Sequence, residues 1–71
     1  MGELQALLWI REELDRARSK WPPFATQRAA MQQLRKQVSD LELAGASQNG
    51  ARVRRELCQV VAVAIRMLAG V

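Results

Sequence analysis

The chain has 71 residues and 8.0 kDa, enough for a single domain over residues 1–71, and 11 basic against 7 acidic side chains give it a formal charge of +4. One cysteine excludes an internal disulfide, and the absence of histidine excludes His-ligated metals, Ser–His and Cys–His nucleophile pairs and imidazole acid–base catalysis. A domain this small buries only about 60 % of the surface its unfolded chain exposes, so a 49 % apolar composition without disulfide or metal points to self-association.

The first predicted helix covers 3–20. Leu7, Ile10, Leu14, Ala17 and Trp21 recur at alternating spacings of three and four, one helical stripe, while Arg11, Glu12, Asp15, Arg16 and Arg18 occupy the other face. Glu12 and Arg16 stand four apart in the favourable order for an ion pair. Trp21-Pro22-Pro23-Phe24 ends the helix, because each proline disfavours helical geometry in the residue before it. Trp21 and Phe24 are expected to cover the end of the core.

The second predicted helix spans 26–44, with the Thr26 hydroxyl as its cap and Met31, Leu34, Val38 and Leu41 as its stripe. Gly45 is placed as a left-handed terminator, followed by the connector Ala46-Ser47-Gln48-Asn49-Gly50. The third helix is predicted over 51–69. Val53, Leu57, Val60, Ala64 and Leu68 form one stripe, widened by Cys58, Val61 and Ile65. Beyond Glu56 only Gln59 and Arg66 are polar, so this helix belongs between neighbours. Two helices of one chain cannot cover it, and a second protomer would complete an all-α bundle. The expected seam is Leu57, Val60, Val61, Ala64, Ile65 and Leu68.

The apolar C-terminal stretch, interrupted by Arg66, is shorter than the roughly 20 residues of a membrane span. The apolar run Leu7-Leu8-Trp9-Ile10 is short and follows no basic segment, so it does not read as a secretory signal. With a lone thiol, these features predict a cytoplasmic protein off the membrane.

Catalytic patterns are sparse. Glu12, Glu13 and Asp15 cluster, but arginines surround them and Arg16 stands where a metal-binding acid would be needed. Gly45 and Gly50 bracket a connector after a helix, which is not a phosphate loop. Arg52, Arg54 and Arg55 form the densest basic patch, yet the helix they open continues as Val60-Val61-Ala62-Val63 and offers no polar side chains for reading bases. Cys58 reads as a small core residue without a base to activate it.

Lys20-Trp21-Pro22-Pro23-Phe24 before a helix, with Arg55-Glu56-Leu57-Cys58-Gln59-Val60-Val61-Ala62-Val63-Ala64-Ile65-Arg66 later, resembles the compact MazG-like proteins of phages and prophages. These belong to the all-α nucleoside triphosphate pyrophosphohydrolases, and the resemblance spans residues 10–68. It places Ala25 and Thr26 where the family commonly has Asn-Ser, and Arg28 and Ala29 at its His-Glu. Lys36, Gln37 and Asp40 fall at the three acids of its magnesium motif, while Glu56 matches the third-helix glutamate. The resemblance thus implies a retained scaffold with a dismantled metal site.

Three readings follow. The first is a non-catalytic homo-oligomeric helical module that needs no cofactor and binds a protein partner. The second is a magnesium-dependent nucleoside triphosphate pyrophosphohydrolase working with Asp40 and Glu56. The third is a metal-free site for an anion or nucleic acid built from Arg28, Arg35, Lys36 and Arg55.

Overall fold

A computed structural model describes residues 2–70. The chain forms three α-helices, α1 (Glu3–Lys20), α2 (Gln27–Ala46) and α3 (Gly50–Gly70), and no strand among the described residues. The all-α expectation holds, with helix ends within two residues of those predicted.

Local chemistry sets the breaks. Trp21 turns extended at φ −123° and ψ 139°, the conformation imposed by Pro22, while its N–H still donates to Ala17 O at 2.8 Å. Thr26 caps α2 as predicted: Ala29 N–H donates to Thr26 Oγ1 at 3.0 Å. Such a cap is worth about 1 kcal/mol.

The second break differs from the prediction. Gly45 stays helical, α2 continues through Ala46, and the left-handed residue is Gln48 at φ 58°. Two polar side chains hold this turn. Ser47 Oγ donates to Ala44 O at 2.6 Å and accepts from Asn49 N–H. Asn49 Oδ1 then accepts from Arg52 N–H at 3.2 Å, capping α3 one residue before Gly50. With Ser47 and Asn49 satisfying the backbone, a glycine terminator at 45 is unnecessary.

The helix α3 lies between the other two, as its apolar composition requires. It packs against both α1 and α2, whereas no Cα of α1 comes within 8 Å of one in α2. The helices therefore form one layer in the order α1–α3–α2, with extents of 34 × 26 × 18 Å. Pocket-lining neighbours Trp9 with Arg54, and Trp21 with Arg66, show α1 and α3 running in the same direction.

A single layer leaves little interior. Only Leu14, Ala30, Ala44, Ala62 and Val63 are buried among the described residues, mostly small side chains at the two helix–helix seams. The central helix buries Ala62 and Val63 rather than the predicted stripe of Val53, Leu57, Val60, Ala64 and Leu68. Leu57 is 47 % and Leu68 88 % exposed. The ion pairs of α1 also differ: Arg16 pairs with Glu13 instead of Glu12, and Arg11 with Asp15.

Candidate functional site

Because α1 and α2 stand apart on either side of α3, the layer has two distinct faces. One is a groove of about 570 Å³. Its floor is Gln59, Ala62, Val63 and Arg66 of α3, and its walls include Glu13, Ala17 and Lys20 of α1 and Ala29, Gln33, Lys36 and Gln37 of α2. The turn Trp21-Pro22-Pro23-Phe24 closes one end. Small side chains on the floor and walls create the depth, and long polar ones rim it.

Charge in the groove is unbalanced. Lys20, Lys36 and Arg66 face a single carboxylate, Glu13, which accepts a hydrogen bond from Arg16. Two of the cations rest on aromatic rings: Lys20 Nζ is 5.3 Å from the Trp21 ring centroid, and Arg66 Cζ is 4.4 Å from that of Phe24. Arg66 also donates to Pro22 O at 2.8 Å. The predicted covering of the core end is met only by Phe24, which is half-buried, since Trp21 is 57 % exposed.

The opposite face carries most of the exposed large apolar side chains, with the charged Arg11, Asp15 and Arg18 among them on α1. On a wheel of 100° per residue, Leu57, Ala64 and Leu68 lie opposite Gln59, Ala62 and Arg66 on α3. Met31 and Val38 likewise oppose Ala29, Gln33 and Lys36 on α2, and Leu4 and Leu8 oppose Glu13, Ala17 and Lys20 on α1. Of the large apolar side chains exposed among the described residues, all but Trp21 and Leu43 point away from the groove. Within the expected seam, Leu68 and, to a lesser degree, Leu57 are exposed to this side, while Val60, Val61, Ala64 and Ile65 are half-buried.

A smaller apolar pocket of about 370 Å³ lies between the N-terminal halves of α1 and α3, lined by Trp9, Ile10, Val53, Leu57, Cys58 and Val61 among others. Arg54 closes it, with Cζ 4.3 Å from the Trp9 centroid. Cys58 is half-buried rather than fully in the core. Burial and the nearby Glu13 carboxylate push its thiol pKa up, and Arg54 opposes them.

The cations singled out in the sequence do not assemble. Lys36 lines the groove, but Arg28 and Arg35 are exposed elsewhere on α2, and Arg55 is exposed near the start of α3. The structure supplies Lys20 and Arg66 instead. One signal for Arg66 was its place as the sole charge in the apolar half of α3. The motif positions Lys36 and Gln37 line the groove, Asp40 and Glu56 are half-buried, and the buried oxygens Gln37 Oε1 and Glu56 Oε2 have no hydrogen-bond partner in the chain. Among the described residues no three His, Cys, Asp or Glu side chains gather into a group that could hold a metal ion, and no helix is long and apolar enough to cross a membrane. No family model, curated protein or solved structure matches the chain.

Proposed function

We propose that the chain is a homo-oligomeric helical interaction module that binds a protein partner and carries out no hydrolysis. The observation that carries this reading is the apolar face opposite the groove. Leu4, Leu7, Leu8, Met31, Val38, Leu57 and Leu68 are all exposed there, beside a core of five small or medium side chains. Large contiguous apolar surfaces on small domains mark association sites. Each methylene buried by pairing these faces contributes about 0.8 kcal/mol. Two layers packed back to back make a six-helix dimer related by a two-fold axis.

The donor chemistry argues against magnesium. An ammonium at Lys36 and an amide at Gln37 stand where the MazG-like resemblance puts carboxylates. Magnesium is held by carboxylates, waters and substrate phosphates, and an ammonium at Lys36 repels the cation beside the remaining acids Asp40 and Glu56. The scaffold is retained for assembly and docking.

Sedimentation equilibrium tests the assembly. The expected mass is twice 8.0 kDa at micromolar concentration. A monomer across that range refutes it.

A further inference from the structure

We propose that the groove docks an acidic peptide segment of the protein partner, with Lys20, Lys36 and Arg66 meeting its carboxylates and Trp21 and Phe24 gripping an apolar side chain between them. This rests on the interaction-module reading and names the site and chemistry of its partner.

Charge selects an acidic ligand. The three cations face one carboxylate, and Arg16 already engages that carboxylate. Low-dielectric walls concentrate this positive field within the groove. Arg66 spends one hydrogen bond on Pro22 O, while a guanidinium has five donors.

Shape and polar chemistry select a peptide rather than a compact anion. The recognition surface does not stop at the groove: a second hollow of about 300 Å³ shares Trp21, Pro23, Phe24 and Arg66 and adds Arg18. A surface that continues around the Trp21–Phe24 turn suits a ligand with length. Gln33, Gln37 and Gln59 line the groove with amides, and Gln37 Oε1 is buried without a partner. Amides present both donors and acceptors, which is what a peptide main chain needs, whereas an ionised phosphate chiefly accepts. Ala17, Ala29 and Ala62 leave depth for an inserted side chain. Exposed Trp beside Arg is also the composition of interface hot spots.

The groove lies on the side of the layer away from the apolar face. Back-to-back pairing leaves both copies open, one on each outer surface of the dimer.

The test is an NMR titration of the full chain with short poly-L-glutamate at low salt, with poly-L-lysine, inorganic phosphate and a single-stranded oligouridine in parallel. Poly-L-glutamate is expected to shift the Trp21 indole and the Gln37 and Gln59 side-chain amides while leaving the Trp9 indole in place. Lys20→Glu combined with Lys36→Glu is expected to weaken poly-L-glutamate binding about tenfold, and Trp21→Ala to weaken binding of a short mixed Glu–Leu peptide by a similar factor. Both lysines and Trp21 are exposed, so these variants keep the fold. Shifts spread evenly over Arg28, Arg35, Arg52 and Arg55, or an unchanged affinity in the double variant, overturn the proposal. So does tighter binding of phosphate or oligouridine at the same residues. A dimer whose groove ignores poly-L-glutamate removes this inference alone, and a monomer that binds it removes only the assembly.

Discussion

Arg66 ties the turn between α1 and α2 onto the central helix by donating from Nη2 to the Pro22 carbonyl oxygen at 2.8 Å. Its guanidinium also stacks on Phe24, with Cζ 4.4 Å from the ring centroid. Since α1 and α2 make no direct approach, their mutual placement depends on what each does with α3. Arg66 is the side chain that fastens the chain's first turn to that helix.

Replacing Arg66 by Met keeps an apolar stem and removes both interactions. The hydrogen bond is exposed, so its loss costs about 0.5–1.5 kcal/mol. The cation–π contact adds about 0.5–1 kcal/mol at such a site. Thermal melting followed by circular dichroism is expected to show a Tm lowered by about 4–8 °C per kcal/mol at fixed protein concentration. Arg66→Lys is expected to rescue little, because an ammonium cannot stack flat on Phe24 while donating to Pro22.

Helix content and order were legible because leucines and valines recur at three and four, prolines fall at 22 and 23, and Thr26 has a helix N–H to cap. The central place of α3 followed from its near-continuous apolar run. Which side of α3 faces inward was not legible. Leu57 and Leu68 belong to the strongest apolar stripe, yet they lie outside while Ala62 and Val63 are buried. Periodicity reports that a face avoids water, without distinguishing burial within one chain from burial between two. The groove was hidden for another reason: Lys20 and Arg66 meet only because α1 and α3 run side by side, a relationship no local spacing encodes.

The apolar face makes Leu68 the sharpest probe of assembly. Val61→Asp would disturb the half-buried packing between α1 and α3 as well as any dimer seam. Leu68 is 88 % exposed in the single chain, so Leu68→Glu leaves intrachain packing untouched. A charge desolvated in an interface costs several kcal/mol. Sedimentation velocity is expected to show monomer for Leu68→Glu and Leu57→Glu, with undiminished helical signal per residue where the fold persists. A dimer in both variants places the seam elsewhere.

The turn into α3 predicts two stabilising substitutions. Gln48 holds φ at 58°, a conformation that costs an L side chain about 1–2 kcal/mol. Gln48→Gly is expected to recover about 0.5–1 kcal/mol, with part of the relief offset by the entropy of the freer unfolded chain. Gly45 is helical and exposed, and a Cβ built there meets nothing within 4 Å. Gly45→Ala is therefore expected to stabilise by about 0.5–1 kcal/mol. A Gly45→Ala protein less stable in urea than the parent would mean that residue 45 leaves the helix in solution.

Cys58 gives the stability a pH dependence of known sign. Burial and the Glu13 carboxylate raise its thiol pKa in the folded chain, against the opposing Arg54 charge. Below the ordinary thiol range, folded and unfolded chains both keep the proton and the group contributes no slope. As pH rises through that range the unfolded chain deprotonates first, so the folded state holds more protons and stability falls. Urea midpoints are expected to decline from neutral to alkaline pH more steeply in the parent than in Cys58→Ala. Thiol labelling of the native protein is expected to lag behind that of the urea-unfolded chain at the same pH, because the thiolate is the nucleophile.

Restoring acids at the motif positions tests whether Lys36 and Gln37 keep magnesium out. Lys36 and Gln37 precede Asp40 on one helix, and both line the groove. In the parent, a divalent ion would meet an ammonium and an amide before it met a carboxylate. Millimolar magnesium is accordingly expected to leave the Tm where a chelator leaves it. Lys36→Glu with Gln37→Glu exchanges the ammonium for a carboxylate and adds a second beside Asp40, and repulsion among the acids is expected to lower the Tm in chelator. Magnesium should then raise it again, because an ion that binds only the folded state stabilises by RT ln(1 + [L]/Kd), about 2.7 kcal/mol at a hundredfold excess over Kd. A parent protein that already melts higher in magnesium would show that Asp40 and Glu56 hold the ion despite the lysine, and would return hydrolysis to consideration.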